Sequence, residues 1–296
     1  MTETIYRSLT EVNGQHRVCV HGVLKQLGVS KSGYYAWKNR KPSRQQLRKT
    51  ELQKEIRQIY EANHQIYGAP KIHQKLREKG LCISERTVTR YMKEMGIKAC
   101  YVKPYTRTTI SEDFSNKLKN ILQEEFHQEA PNTVWCTDIT YIYTQEGFVY
   151  LSCIMDLFSR KIVGWGLSRD LSADAVVTAV KEAIRRRQGV KPEMIHTDRG
   201  VQYTSEAYAK ATEGIQRSYS RKAYPWDNAC IESFHALIKR EWLNRFSIQN
   251  YEQAYRLVFE YIETFYNTHR SHSHCGYLSP DLYEKAYADQ LYWNIV

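Results

Sequence analysis

The sequence predicts an α/β protein, in which a mixed five-stranded sheet flanked by helices follows an all-α region with helix-turn-helix units. Lys and Arg are concentrated in the first third of the chain, and apolar residues recur there at helical spacing. After residue 132, β-branched and aromatic runs alternate with helical patterns. The expected segments are an N-terminal helical segment (1–45), a helix-turn-helix domain (46–100), a linker (101–131), an α/β core (132–285) and a tail (286–296).

The charge of the chain is unevenly distributed. Its 296 residues have a net charge of +11, yet residues 1–110 hold 22 Lys and Arg against 8 Asp and Glu, which is +14, and the rest carries −3. A basic arm joined to a nearly neutral domain indicates a polyanion as partner, and neutralised DNA phosphates release counterions. Because solvated basic faces are also common, charge alone leaves DNA binding open.

The cellular compartment is constrained by what the sequence lacks. It has no apolar run of membrane-spanning length and no N-terminal signal-peptide pattern. Its seven cysteines are scattered and form no C-x-x-C pair, which is typical of a reducing compartment and argues against a zinc ribbon. We therefore expect a cytoplasmic protein without a membrane partner.

Helix-turn-helix patterns occur twice in the basic region. The first is a short helix, a turn at Gly28 and a helix opened by Ser30 or Ser32, and the second comprises helices over 69–79 and 84–96. In the later helix, Ser84 is the expected N-cap, and the apolar residues Val88, Met92 and Met95 define one stripe. The opposite face holds the candidate DNA-binding residues Arg86, Thr89, Arg90 and Lys93. An ordinary helical bundle with a solvated basic face is the alternative.

The core is expected to begin with a β-meander and to continue as strands and helices in alternation. Strands are predicted at 133–144, 148–156, 161–167, 194–197 and 215–220, and helices at 172–188, from about Ser205, and in the stretch opened by PWDNACIESF (225–234). The linker is expected to contain one helix around Phe114–Phe126. Such an order indicates a mixed sheet with helices on its faces.

Three carboxylates fall at places where a structural role is hard to assign. Asp138 interrupts the most hydrophobic strand, Asp198 follows the fourth strand, and Glu232 lies off the apolar stripe of the last helix together with His235 and Lys239. Oxygen ligands suit Mg²⁺ or Mn²⁺, and two such ions can catalyse phosphodiester chemistry. The simpler reading, acidic residues near strand ends by chance, remains open. Structural roles are expected for Asp156 in a turn, His196 in packing or hydrogen bonding, and Asp227 as an N-cap.

Five ordered motifs resemble a known family. WCTDITYI, DLFSRKIVGW, HTDRGVQYTS, SRKAYPWDNACIESF and YNTHRSHSHCGYLSP are similar to motifs of bacterial OrfB-type transposases of the insertion-sequence-three family, whose core resembles retroviral integrases. The upstream segments SKSGYYAW and YGAPKIHQKLREKG resemble the helix-turn-helix region of the same proteins. The resemblance therefore covers nearly the whole chain.

The resemblance implies a ribonuclease-H-like core with a D-D-E triad of Asp138, Asp198 and Glu232, which would bind two Mg²⁺ or Mn²⁺ ions. It also implies that Lys239 contacts the element-end DNA and that Asn228 shapes the site and lies at the DNA. The 33 residues between Asp198 and Glu232 are slightly fewer than is usual in that family, and the helix near 210–218 looks shortened. Cys275 also departs from the family, where Leu is usual.

The function implied by the resemblance is DNA transposition. Such a protein binds the terminal repeats of a mobile element, cleaves to expose a 3′-hydroxyl and joins that hydroxyl to another phosphodiester. Its implied partners are double-stranded element ends and target DNA, further copies of itself, and the product of the upstream reading frame (OrfA), and its implied location is the bacterial nucleoid. The alternatives are a nuclease of the same fold that does not join strands and a non-catalytic DNA-binding regulator derived from a transposase.

Overall fold

A computed structural model describes residues 2–15, 18–100, 118–221 and 224–295 of the 296-residue chain. The chain divides into two compact units, residues 1–58 and 59–296. No helix in the described ranges is long and apolar enough to cross a membrane.

The first unit is helical. It contains α1 (Thr2–Gln15), α2 (Val20–Gln26), α3 (Lys31–Lys38) and the first part of α4 (Arg44–Ala62). Gly28 adopts a φ of 65° in the turn between α2 and α3, and the Ser30 hydroxyl accepts a hydrogen bond from the Gly33 N–H at 3.2 Å. The predicted helix, glycine turn and helix are therefore confirmed, with Ser30 as the cap. Their small core consists of Tyr6, Leu9, Leu24 and Tyr34.

The second predicted helix pair lies in the other unit. It consists of α5 (Ala69–Glu78) and α6 (Glu85–Glu94), and the Ser84 hydroxyl caps α6 by accepting from the Thr87 N–H at 3.3 Å. Val88 and Met92 are buried on α6, as predicted, whereas Met95, the third residue of the predicted stripe, is half-buried at the C-cap. Just before α5, the Tyr67 hydroxyl accepts a hydrogen bond from the Ser271 N–H at 2.8 Å, which attaches this pair to the C-terminal part of the chain.

The predicted fold class is confirmed by a mixed five-stranded sheet within the described residues. Its strands, in the spatial order β3-β2-β1-β4-β5, are β1 (Val134–Thr144), β2 (Gly147–Asp156), β3 (Ile162–Ser168), β4 (Met194–Thr197) and β5 (Gln216–Tyr219). The first three strands form an antiparallel meander, whereas β4 runs parallel to β1 and β5 parallel to β4. This arrangement places the carboxyl ends of β1 and β4 side by side.

Helices cover the sheet and extend the core. They are α7 (Ala173–Arg186), α8 (Glu206–Ala211), α9 (Ala229–Glu241), α10 (Tyr251–Phe259) and α11 (Pro280–Ile295), and α10 continues as a π-helical turn over Glu260–Tyr266. Helix α7 packs closely on β3 because Gly164 and Gly166 have no side chain there, and a Cβ on Gly164 would overlap the Ala179 carbonyl oxygen. The core between them includes Trp135, Val176, Val180 and Ile195.

The helix expected around Phe114–Phe126 is not present in the part that the structure describes, residues 118–126. Residues 101–117, which include the rest of the predicted linker helix, lie outside the described residues. Lys119 instead runs beside β5, where its carbonyl accepts from the Tyr219 N–H at 3.0 Å. The Ser218 hydroxyl accepts from the N–H groups of Ile121 and Leu122 at 2.9 and 3.1 Å. Because these backbone groups are bound at the edge of the sheet, they are not available for helical hydrogen bonds.

A buried ion pair fixes the end of α9. The Arg270 guanidinium donates to both oxygens of Glu241 at 2.7 and 2.6 Å, and the Tyr261 hydroxyl donates to Glu241 at 2.6 Å. Glu241 and Arg270 are each only 5% exposed. The helix that carries Glu232 and Lys239 is therefore held at its C-terminal end by three charge-assisted hydrogen bonds.

Candidate functional site

Asp138 and Asp198 lie where β1 and β4 separate. The last paired residues of these parallel strands are Cys136 and His196, and each aspartate follows two residues later. Adjacent strands are about 4.8 Å apart, so the matched register brings the two carboxylates to one edge of the sheet. Both side chains are partly buried, and the Asp198 carboxylate accepts a hydrogen bond from the Gly200 N–H at 2.9 Å.

Glu232 reaches the same edge from α9. The first turn of α9 is attached to β1 because the Asn228 amide donates to the Thr137 carbonyl, next to Asp138, at 3.2 Å. Ile231, Phe234 and Ile238 are buried as the predicted stripe, and Glu232 is exposed beside them. Asn228 is only 4% exposed, and its side-chain amide donates a hydrogen bond to β1, so in this conformation it orients α9.

The charges of the two aspartates act on neighbouring carboxyl groups. Burial, followed by the charge of Asp138, raises the pKa of Asp198 to about 6, against the lowering effect of the Gly200 N–H. Partial desolvation by the surrounding residues raises the pKa of Glu232 as well, although part of its side chain is exposed, and the charges of Asp138 and Asp198 add to this effect. Carboxylates that lie within range of other negative charges are stabilised by a bound cation.

Three oxygen donors with mutual repulsion fit a hard divalent cation. In the described residues, however, no three His, Cys, Asp or Glu side chains are arranged to enclose an ion. Asp198 and Glu232 form no ion pair with a Lys or Arg in those residues, so their charges are available to a cation.

Lys239 adds a positive charge to this group. Its Nζ lies 4.2 Å from the centre of the Tyr141 ring, a cation–π contact. Burial lowers the pKa of Lys239, and the nearby charge of Asp138 opposes that effect. Lys239 is thus positioned beside the carboxylates, on the exposed side of β1.

His235 contacts Asp138, which the sequence pattern did not predict. It was expected off the apolar stripe with Glu232, but it is 5% exposed, and its Nδ1 lies 3.3 Å from the Asp138 Oδ2. The Nε2 atom is buried without a hydrogen-bond partner in the described residues. The available signal was its position three residues after Glu232, on the side of α9 that faces β1.

Asp227 does not cap α9, contrary to the prediction. Its carboxylate accepts from the Arg221 N–H at 2.6 Å and from the Arg221 guanidinium at 3.1 and 2.8 Å. It lies within a 3-10 turn over Pro225–Asn228, so it is directed back along the chain and not towards the first turn of α9. Asp227 therefore fixes the segment that enters the helix.

Asp156 and His196 have the structural roles that were predicted. The buried Asp156 carboxylate accepts from the Asn132 and Phe158 N–H groups at 2.8 and 3.1 Å and pairs with Arg187 at 3.0 Å. His196 lies between two hydroxyls, with Nδ1 2.8 Å from Ser218 Oγ and Nε2 3.1 Å from Ser220 Oγ. Burial lowers the pKa of His196 from 6.5 to about 4.

The neutral His196 leads to a prediction about stability and pH. Because the unfolded chain binds this proton more tightly, the contribution of His196 is fully present above pH 6.5 and is lost as pH falls towards about 4. Between about pH 7 and about pH 5, the loss from this group is about 2 kcal/mol in the free energy of unfolding. Urea denaturation of wild type and His196→Gln should show a shallower decline in the variant. The exposed control His21→Gln should follow wild type, and parallel curves for all three would contradict the assignment.

The candidate DNA-binding residues Arg86, Arg90 and Lys93 are exposed on α6, apart from the carboxylates in sequence. The guanidinium of Arg90 lies 5.3 Å from the Tyr91 ring centre. The buried side chains Val88 and Met92 occupy the opposite face, so the predicted division of α6 into an apolar and a basic face is present.

Comparison with known proteins gives matches along most of the chain. Residues 128–225 and 213–280 match two families described as "Integrase core domain", and residues 46–105 match a family described as "HTH-like domain". Over 249 residues, the chain is 36% identical to the transposase for insertion sequence element IS904 of Lactococcus lactis, which covers 83% of this chain and 98% of the relative. Over 275 residues, it is 32% identical to the transposase InsF for insertion sequence IS3A of Escherichia coli, covering 91% of this chain and 95% of the relative.

Among solved structures, the chain is similar to the HTLV-2 integrase catalytic core domain in complex with magnesium. The TM-score is 0.41 at 18% sequence identity, and the match covers 53% of this chain and 98% of that chain.

Proposed function

Since the chain belongs to the insertion-sequence-three family of transposases, we propose that it cleaves the ends of its mobile element to expose a 3′-hydroxyl and joins that hydroxyl to another phosphodiester. The proposed ligands are double-stranded element ends and target DNA. Further proposed partners are other copies of the chain and the product of the upstream reading frame.

One observation supports this proposal most strongly. Asp138, Asp198 and Glu232 come from two strands and a helix, yet they lie close enough that, besides desolvation, the charges of both aspartates raise the pKa of Glu232. A shared site of this kind, with Lys239 beside it, combines cation-binding carboxylates with a positive group for the DNA backbone.

Each residue of the site has a defined task in the proposed reaction. Asp138, Asp198 and Glu232 would hold two Mg²⁺ or Mn²⁺ ions, which when bound supply activation of the attacking oxygen and stabilisation of the leaving oxygen. Asn228 holds α9 against β1 through its hydrogen bond to the Thr137 carbonyl oxygen. His235 holds Asp138 in place through its contact with the Asp138 carboxylate. Lys239 would contact a phosphate of the DNA end, and no covalent protein–DNA intermediate is required.

Binding of the element ends is proposed to involve α6, and substitution there should weaken it. Arg86→Ala combined with Arg90→Ala removes two exposed cations without disturbing the buried Val88 and Met92. We expect the slope of log affinity against log salt concentration to become shallower by about 2. Fluorescence anisotropy with element-end DNA measures this slope, and Arg185→Ala, an exposed change on α7, is the control. Unchanged affinity and slope in the double variant would exclude α6 from the interface.

A strand-transfer assay separates the proposal from its alternatives. Labelled element-end DNA is incubated with the full chain, target DNA and Mg²⁺ or Mn²⁺, and cleaved and joined products are resolved by electrophoresis. A transposase gives both products. Cleavage without joining supports the nuclease, and DNA binding with neither reaction supports the regulator.

A further inference from the structure

Three large aromatic side chains are exposed together on the hairpin formed by β1 and β2. Tyr141, Tyr143 and Phe148 are 54%, 69% and 51% exposed. The Phe148 ring centre lies 5.5 Å from that of Tyr141 and 5.6 Å from that of Tyr143, with interplanar angles of 83° and 68°. We call these three residues the aromatic platform. Contiguous exposed apolar surface of this kind marks an interaction site.

The backbone that carries the platform is fixed. Tyr143 is paired with Phe148 across the antiparallel ladder, and the Gln145 N–H donates to the Ile248 carbonyl at 3.0 Å. The Gln145 side-chain amide also donates to the Ser247 hydroxyl at 3.1 Å, and the Thr144 hydroxyl donates to the Gly147 carbonyl at 2.7 Å. A ligand that binds these rings therefore meets a surface that needs little ordering.

The platform lies further along β1 than the carboxylate site, and Lys239 is the residue between them. Tyr141 and Tyr143 follow Asp138 by three and five residues, which corresponds to roughly 10 and 17 Å at about 3.3 Å per residue, and these odd spacings direct their rings to the opposite face of the strand. The Lys239 Nζ lies 4.2 Å from the Tyr141 ring centre, so a positive charge borders the platform on the side of the carboxylates.

We propose that the aromatic platform stacks the bases of an unpaired DNA strand beside the carboxylate site, while Lys239 meets the phosphate of the same strand. This assignment rests on the proposed function, because it assumes that DNA is bound at the carboxylates. Every base has a flat aromatic face, so stacking of this kind holds a separated strand without reading its sequence.

The chemistry of the surroundings favours DNA over a second copy of the chain. A ring exposed next to a lysine offers a base and its phosphate complementary partners at the same time. A stable protein interface requires a far larger surface than three side chains provide. Unpaired bases also arise at the ends and junctions that strand cleavage and joining create.

The test compares two DNA probes on the full chain without divalent cation. One is a blunt duplex, and the other is the same duplex with a tail of unpaired thymidines that includes one 2-aminopurine. The variant Tyr143→Leu with Phe148→Leu leaves Tyr141 and its contact with Lys239 in place. We expect its affinity for the tailed probe to fall about tenfold or more, and the quenching of 2-aminopurine fluorescence to be lost, while its affinity for the blunt duplex changes less than about twofold.

Tyr255→Leu is the matched control, because Tyr255 is 46% exposed and lies on α10. Unchanged binding of the tailed probe in the double variant would overturn the assignment, and so would equal losses on both probes. Loss of self-association without loss of affinity for the tailed probe would assign the platform to protein contacts instead. Strand transfer by the wild-type chain, measured in parallel, tests the proposed function separately, since it can succeed while the platform fails.

Discussion

Glu232→Gln is expected to lower the rate of DNA strand cleavage by at least about 1,000-fold, equivalent to about 4 kcal/mol of transition-state stabilisation. The substitution keeps the size of the side chain but removes one of the three negative charges of the proposed site. DNA binding should persist, because the binding surface proposed on α6 is unaltered. Asp138→Asn and Asp198→Asn should have the same effect.

The matched control for this prediction is Glu206→Gln, an exposed carboxylate in the first turn of α8. Its cleavage rate should equal that of wild type, measured as initial rates on labelled element-end DNA. If Glu232→Gln retained wild-type activity, Glu232 would not be a catalytic residue. A loss of DNA binding in step with the loss of cleavage would point to a structural role for this side chain.

Glu241→Gln is expected to lower the free energy of unfolding by about 3–5 kcal/mol. The change leaves the Arg270 guanidinium buried without its carboxylate, and Lys71 is a further positive charge in its surroundings. Because Glu241 ends the helix that carries Glu232 and Lys239, the same change should also loosen the site. Urea denaturation monitored by circular dichroism measures the loss.

Glu252→Gln is the comparison for the buried pair. Glu252 accepts from Arg169 at 3.0 Å, but both side chains are mostly exposed, so its loss should cost less than about 1 kcal/mol. Replacing both buried partners, Glu241→Leu with Arg270→Leu, should recover part of the stability that Glu241→Gln loses. Equal effects at Glu241 and Glu252 would contradict the role of burial.

The positions of Asp138 and Asp198 could be predicted from the sequence because strands are recognised by short apolar runs and parallel strands end at the same edge of a sheet. An acid in a hydrophobic strand and an acid at the end of the next parallel strand predict a shared edge, and the register of Cys136 with His196 brings Asp138 and Asp198 there. Glu232 followed from the apolar stripe of α9, which the structure reproduces. Each of these predictions depends on a periodic pattern of apolar residues within one strand or helix.

The errors concern contacts between residues that no local pattern connects. His235 was placed off the stripe, but β1 packs against that side of α9 and buries it beside Asp138. Asp227 looked like an N-cap from composition, yet Arg221 offers it a backbone N–H and a guanidinium. The residues expected as a linker helix form hydrogen bonds with β5 in their described part.

The short spacing between Asp198 and Glu232 has a structural explanation. The connecting helix α8 is only six residues long, as the sequence indicated near 210–218. The chain then re-enters the sheet through β5, and α9 is fixed to β1 through Asn228 and to Arg270 through Glu241. Glu232 therefore remains within electrostatic range of both aspartates despite the shortened connection.

The most direct test of the proposed catalytic site is the location of metal ions in crystals of the full chain with element-end DNA and Mn²⁺, using anomalous scattering. We expect two ions, about 3.5–4 Å apart, with oxygen ligands from Asp138, Asp198 and Glu232. Ions bound elsewhere, or bound at the aspartates without Glu232, would contradict the proposed D-D-E site.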